Sequence, residues 1–494
     1  MMVFRTRSAL LTASAVAASA LVLVGTWTGT TVSAAPRSSL SPYDVQESTA
    51  YLTARYQVSA DEALRRLELQ NRIPELQQRI SKLQPDAYAG MWLDQDHGGV
   101  LVIGSTATAQ ATLVTASEED AAHIRVQQAR WSLRDLQATA QDITAKLQAT
   151  SGSSYQVVAD QKLDAVAITP HKAKGQDPRG QQAIDALAAA SHGKITVLAP
   201  RLPGPENAEP ENPSRTPAEP QRGYTQPCPV ANCWPPMMGG YRLDIKRSDG
   251  SEVWGGCSAG FNVKGDKNGQ AYVLTAGHCL LPKHHPGDDD RTYHNGIPVG
   301  TKKGAIIEKY QGAFDFDFSF VPYQTTGDSN WADYWINNRA KKNGVFTRCK
   351  PGTRPCQPDT TYISGMAAAP DIKKGEVVCA AGSANEETTE DPGGNDRYEA
   401  GTHCGQITQF RGIGDTVIIA DICSREGDSG GALYSQTNRK AYGTLRGTIA
   451  GAHGPCQVGQ ENSDYITVES SIFEGERKGG NNVGLRVIDD RDNR

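Results

Sequence analysis

The sequence predicts an all-β domain over residues 238–494, a sandwich or a pair of barrels, preceded by an α+β region over residues 35–199. Three observations predict it. Helical periodicity is confined to the N-terminal part, whereas short apolar runs separated by turn residues fill the chain beyond Gly239-Gly240. All ten cysteines fall after residue 227. At 494 residues the chain is too long for one ordinary domain. An even cysteine count in one region predicts disulfides and an oxidising, extracellular compartment. The formal charge of −5 is small and no basic stripe is present, which argues against a nucleic-acid partner.

Residues 1–34 read as a secretory signal peptide. Arg5 and Arg7 precede an apolar run from Ala9 to Val24, and Thr31-Val32-Ser33-Ala34-Ala35 supplies a small-residue cleavage site. The run is too short and too rich in Ala and Ser for a membrane anchor, so no membrane association is expected once it is removed. From Ser59 the pattern is helical. Ser59 with Glu62 forms a capping box, and Leu64, Leu67, Leu76, Ile80 and Leu83 share most of one face, with Pro74 dividing the segment. Gly99–Gly104 reads as a buried strand. Ala129, Leu133, Leu136, Ala140, Ile143 and Leu147 step by fours and threes as an amphipathic helix. Strands at Tyr155–Val158 and Ala165–Thr169, a helix near Gln181–Ala190 and a strand at Ile195–Leu198 complete the region. No nucleophile, metal cluster or phosphate loop stands out there. Residues 200–237 form a Pro-rich linker: the stretch from Pro200 to Pro227 cannot bury a core, and the close cysteine pair Cys228 and Cys233 lies just beyond it.

The β-like runs beyond it are Tyr241–Ile245, Ser258–Val263, Ala271–Thr275, Phe318–Val321, Gly405–Gln409, Val417–Ala420 and Leu445–Ile449, with no long helical period. Two stretches among them carry chemistry. In Gly427-Asp428-Ser429-Gly430-Gly431, the glycines allow a tight turn whose amides converge beside the Ser429 hydroxyl. A serine hydroxyl is a weak nucleophile without a base, and Leu274-Thr275-Ala276-Gly277-His278-Cys279 offers the imidazole of His278 at a strand end. A carboxylate must hold that imidazole. Asp315 and Asp317 alternate with phenylalanines and share one side of a strand, and Asp317 is preferred because Ser319-Phe320-Val321 continue a buried strand behind it.

These residues resemble those of secreted bacterial chymotrypsin-fold serine peptidases of the streptogrisin and alpha-lytic protease group. The order His278, Asp317, Ser429 matches the group, as do the runs Thr275–Cys279 and Gly427–Gly431. Cys423, six residues before Ser429, and the runs Cys257–Asn262, Cys379 to Cys404-Gly405 and Gly447 to Cys456 extend the likeness over most of residues 238–488. Tyr88–Leu93 is similar, more weakly, to the group's pro-regions. The resemblance implies two six-stranded antiparallel β-barrels with the site between them, and a pro-region that assists folding and blocks the site until it is cut away. It implies a secreted, monomeric serine endopeptidase acting on protein or peptide substrates through His278, Asp317 and Ser429. Gly427 and Ser429 would supply the oxyanion amides, and neither metal nor organic cofactor is needed. It also implies the disulfides Cys257–Cys279, Cys379–Cys404 and Cys423–Cys456. Cys349–Cys356 and Cys228–Cys233 are expected from closeness alone.

The chain departs from the group at three places. Ala450-Gly451-Ala452 stands on the substrate-binding strand where Ser-Gly-Gly is usual, removing a hydroxyl and narrowing the pocket mouth. Ala380 replaces an arginine that would pair the buried Asp428, leaving Arg425 or Arg446 as substitutes. These departures keep open a non-catalytic relative, or an esterase on the same residues. His284–Asp290 and Glu386–Asp396 read as polar insertions, the former a solvated acidic loop that competes with a cation site. The maturation cut is expected in the linker or at Met238-Gly239.

Overall fold

Residues 40–493 are described by the computed structural model, except 117, 119, 152–154, 171–177, 199–229, 231–232, 248–251, 281–289, 309–315, 324, 327–328, 352, 354–355, 385–400, 412–415, 426, 449–461 and 481–482. The signal segment, nearly all of the linker, His284 to Asp289, Asp315, the Glu386–Asp396 insertion, Ala450, Gly451, Ala452, Cys228 and Cys456 lie outside the described residues.

The N-terminal part begins with α1 (Gln46–Tyr56), α2 (Ala60–Asn71) and α3 (Ile73–Leu83). Ser59 caps α2 by accepting from the Glu62 amide at 3.2 Å, but the Glu62 carboxylate turns to Arg65 and Arg66 rather than back to the cap, so half of the capping box forms. Pro74 sits in the first turn of α3, where its missing N–H costs nothing, and so separates the two helices as expected. Leu83 departs from the expected apolar face: it lies at the helix end, 60% exposed. Next come β1 (Tyr88–Asp94), β2 (Val100–Ser105), α4 (Thr108–Thr115) and β3 (Ile124–Gln128), then α5 (Leu133–Ser151), β4 (Tyr155–Asp160), β5 (Ala165–Pro170), α6 (Pro178–Ala190) and β6 (Ile195–Val197). The strands make two three-stranded sheets, β1-β2-β3 and β4-β5-β6. Leu69, Ile73, Leu76 and Ile80 pack on the first sheet, and Leu136, Ile143 and Leu147 of α5 pack on the second.

The C-terminal part opens with β7 (Arg242–Lys246), β8 (Glu252–Ser258), β9 (Asn262–Gly265), β10 (Ala271–Thr275), β11 (Arg291–His294), β12 (Ile297–Thr301), β13 (Ile306–Glu308) and β14 (Phe318–Pro322). A two-residue pair, β15 (Thr325–Thr326) and β16 (Ser329–Asn330), precedes the hairpin β17 (Gly344–Cys349) and β18 (Pro358–Tyr362). Then follow β19 (Gly365–Met366), β20 (Val377–Gly382), β21 (Gly401–Arg411), β22 (Val417–Ala420), β23 (Ala432–Tyr434), β24 (Lys440–Thr448), β25 (Ser463–Thr467), α7 (Val468–Lys478) and β26 (Leu485–Val487).

Six of these strands close a ring, β20-β21-β22-β25-β24-β23 and back to β20, every neighbour antiparallel. Val378, Ile407, Ile418, Leu433, Tyr442 and Tyr465 fill one of its cores. The first half of this part is described as two sheets, β13-β14-β10-β9-β26 and β12-β11-β7-β8, rather than as a second closed ring. Their junction explains why Ser258–Val263 is not one strand. The chain turns a corner there, with the Ala259 amide bonding to Tyr241 O and the Gly260 amide to Leu274 O, so one run serves both sheets. The helix α7 was not expected. Thr467 caps it, and its buried face is short. Asp290, expected in a solvated loop, is fully buried against Arg247 at 3.0 Å.

The two parts share a surface. Gln70 extends the edge of β20 like a strand residue, donating to Val377 O at 2.9 Å and accepting from Val377 N at 2.7 Å. Ser48 donates to Gln436 Oε1 at 2.8 Å, and the Leu93 amide donates to Lys374 O at 2.9 Å. Val45, Leu52, Leu67 and Val377 form one apolar cluster across the contact.

Cys257–Cys279, Cys349–Cys356 and Cys379–Cys404 are disulfides. Cys233 and Cys423 are also disulfide-bonded. Among the described residues no helix is long and apolar enough to cross a membrane.

His294 is fully buried, stacked on Tyr241 at 5.0 Å and edge-on to Trp335. Its Nε2 accepts from the Cys233 amide at 3.1 Å, so the ring proton sits on Nδ1 and is donated to Arg242 O at 2.7 Å. Burial pushes its pKa down to about 4. An unfolded histidine protonates below about 6.5, so between these values the unfolded chain binds a proton that the folded one refuses. The stabilisation is complete above about pH 6.5 and lost as pH falls toward 4, roughly 3 kcal/mol in all. Thermal midpoints across pH 4–7 should fall more steeply for the parent chain than for His294→Gln; equal slopes would contradict this.

Candidate active site

The strand β10 delivers His278 on a single helical turn, Gly277–Cys279, directly after Thr275. Its partner strand β14 runs antiparallel with Thr275 opposite Ser319, so Asp317, just before β14, lies at that same end of the ladder beside the turn. Two hydrogen bonds join them. The His278 amide donates to Asp317 Oδ1 at 2.8 Å, and His278 Nδ1 meets Oδ2 at 2.7 Å. With a carboxylate facing Nδ1, the ring carries its proton there and leaves Nε2 free to accept one. Gly277 is required by proximity: a Cβ would lie 1.9 Å from Glu308 O and 2.9 Å from Asp317 Oδ1.

Asp317 is buried, which by itself raises a carboxyl pKa. The His278 charge and the hydrogen bonds from His278 oppose burial, the charge of Arg446 adds to them, and the carboxyl is held below its usual range. Arg446, expected as one of two candidate partners of Asp428, also acts on Asp317 through its charge.

Ser429 is half-buried on the turn after Gly427, which takes a positive φ of 102°, and before Gly430 at 83°. Its carbonyl accepts from the Ser258 amide at 2.7 Å and lies 3.9 Å from Cys279 Sγ. The Gly430 amide donates to Leu445 O, and the Leu445 amide returns to Gly431 O. The Cys257–Cys279 bridge ties the His278 turn to β8, the strand that receives Ser429. The serine and histidine turns are thus fastened to common neighbours. Among the described residues Ser429 Oγ makes no hydrogen bond to His278, and the amides of Gly427 and Ser429 have no acceptor. Such contacts often tighten only when substrate binds.

No protein-family model matches the chain. Streptogrisin-D from Streptomyces griseus is 27% identical to it over 221 residues, which is 42% of this chain and 42% of that protein. The chain thus spans less than half the length of that relative. Among solved structures, the Nocardiopsis protease is similar at 19% identity, covering 51% of this chain and 98% of that one with a TM-score of 0.31. The Cellulomonas bogoriensis chymotrypsin is similar at 23% identity over 51% and 98%, with a TM-score of 0.30.

Asp428 receives two backbone amides, Ala384 N on Oδ1 and Arg425 N on Oδ2, each at 2.9 Å. Arg425 thus contributes its main chain, while its guanidinium donates to Ser424 O at 2.8 Å. Gly382 makes room, since a Cβ there would lie 2.0 Å from Asp428 Oδ1. Sequence reasoning missed Ser258 and Ser383. Ser258 Oγ donates to Gly427 O at 2.7 Å, and Ser383 Oγ approaches the same oxygen at 3.2 Å, so two hydroxyls hold the Gly427 carbonyl just before Ser429. Ser258 had a signal in its place after Cys257, whereas Ser383 had none.

Among the described residues, one group with metal-ligand spacing exists: Cys257, His278 and Cys279. Its two sulfurs are bonded to each other, so it offers no thiolate.

Gly430→Ala tests the seating of the turn. A Cβ at that position would lie 2.1 Å from Thr275 Oγ1, 2.6 Å from Ala276 N and 2.7 Å from Ser258 O, on a backbone already at positive φ. Relief requires the serine and histidine turns to part. A shift of about 1 Å costs on the order of 10²-fold in rate, so kcat/KM should fall at least that far; an unchanged value would show that the turns are not mutually fixed.

Proposed function

We propose that this chain is the precursor of a secreted serine endopeptidase. The observation that carries the reading is the double hydrogen bond from the His278 amide and imidazole to the single buried carboxylate of Asp317, beside a glycine-flanked Ser429. Ser429 Oγ attacks the scissile carbonyl carbon while His278 Nε2 takes its proton. The carbonyl oxygen receives the electron pair and faces the amides of Gly427 and Ser429, each such donor being worth about 10²–10³ in rate. His278 then protonates the leaving amine as the C–N bond breaks, and water activated by the same imidazole hydrolyses the acyl-serine. Asp317 fixes the tautomer and offsets the imidazolium charge throughout.

The similarity to Streptogrisin-D supports the same reading. In it Ala450, Gly451 and Ala452 bind the substrate main chain, and the processed enzyme is a secreted monomer. The α+β part is the pro-region, gripping the barrel edge through Gln70 and Val377 until it is cut away.

The test is to secrete the chain, remove the N-terminal part, and profile cleavage of a peptide library and a set of simple esters against a Ser429→Ala control. Peptide cleavage by the parent alone is expected. Ester turnover without peptide cleavage would favour an esterase, and turnover of neither a non-catalytic relative.

A further inference from the structure

We propose that Val230–Met238 is a permanent arm of the peptidase, kept on the catalytic side when the α+β part is removed. This rests on the precursor reading above. The sequence leaves the maturation cut open between the linker and Met238-Gly239; the packing of this segment excludes the second.

The arm is core. Val230 and Met237 are fully buried, Cys233 is 1% exposed and Met238 6% exposed, in one cluster with Tyr241, Leu243, Val273, Val321 and Trp335. Its main chain is bonded at Val230, Cys233 and Met237. Val230 O accepts from the Arg242 amide at 2.9 Å, Cys233 N donates to His294 Nε2, and Met237 N donates to Trp335 O at 3.2 Å. Met237 O accepts from Asn262 Nδ2 at 2.7 Å. Each of these partners follows residue 239 in the chain. Val230 is also held at a φ of +48°, a conformation a β-branched residue keeps only where its surroundings impose it. Cys233 adds a disulfide.

The Met238-Gly239 junction is equally fixed. Gly239 donates to Gly344 O at 2.8 Å and its carbonyl accepts from the Phe346 amide at 2.9 Å. A Cβ on Gly239 would lie 2.5 Å from Gly260 O. A peptidase needs several consecutive residues extended and free, and cutting sites concentrate where backbone is exposed and unbonded. A cut at Gly239 would require this part of the core to open first. It would also discard Met237 and Met238, leaving a cavity under Trp335 and Phe346.

Two measurements on the protein as secreted test the arm. The first is the N-terminal residue of the processed, active form, read after reduction of disulfides. A first residue at or before Val230 supports the arm; any later one, Gly239 above all, overturns it. The second is amide hydrogen exchange in full-length Ser429→Ala chain, which cannot process itself. The amides of Cys233, Met237 and Gly239 should exchange as slowly as those of β10, and exchange at the rate of unstructured peptide overturns the arm. A chain that is active without any cut sinks the precursor reading alone, and exchange then decides whether the arm belongs to the fold.

Discussion

Ser429→Ala is expected to lower kcat for peptide hydrolysis by on the order of 10⁵–10⁶-fold while leaving KM and the thermal midpoint nearly unchanged. The size follows from the chemistry. Removing the nucleophile leaves only the donor amides and substrate binding to accelerate attack by water, and that residual is about 10³–10⁴ over the uncatalysed reaction. The neutrality toward stability follows from the structure. Ser429 is half-buried, and the contacts that fix its turn run through main-chain groups: its own carbonyl to Ser258 N and Gly430 N to Leu445 O. Alanine keeps all of them. Steady-state kinetics and a melting curve on both proteins check the prediction. A variant within about tenfold of the parent would remove Ser429 from the reaction.

Asp317→Asn is expected to lower kcat by about 10⁴-fold, and Asp315→Asn to leave it unchanged. Asparagine can still accept from the His278 amide at the position of Oδ1. At the position of Oδ2 it presents an NH₂ toward Nδ1, donor against donor. The imidazole then moves its proton to Nε2 or turns away, and either change takes the base from Ser429. The negative charge that offsets the imidazolium is lost as well. Near-complete retention of the fold by circular dichroism, with the rate loss confined to the 317 variant, is the expected pattern. The reverse ranking would assign the carboxylate to Asp315.

Much of the site was legible because its chemistry is written in consecutive residues. Gly427–Gly431 and Thr275–Cys279 each encode a turn and a reactive group together, and alternation placed Asp317 on the polar side of a strand. The fold was legible where a period was clean: α5, β2, β4 and β5 lie close to where their residues predict. It was illegible where burial covers both faces. The strand β1 is buried at every residue, so no alternation marks it, the three-residue β23 is equally buried, and β20 is buried at all but Ala380. The helix α7 escaped because its buried face comprises few residues between polar ones. The main-chain partners of Asp428 escaped for another reason. Two backbone amides hold its carboxylate, and amides leave no mark in a sequence.

The sequence by itself singled out His278, Asp317 and Ser429, the clustering of ten cysteines in one region, and the division into a helical N-terminal part and a β-rich C-terminal one. Only the tertiary structure decided what holds those groups in place. The Thr275–Ser319 register brings Asp317 to His278, Ser258 receives the serine turn, and Gln70 meets Val377 across 307 positions. It also placed Val230, Cys233, Met237 and Met238, at and beside the end of the linker, in the core. The physical reason is common to all four. A turn or a period depends on neighbours in the chain and is repeated locally, whereas a register, a close glycine contact or a buried arm depends on which distant surfaces exclude water together.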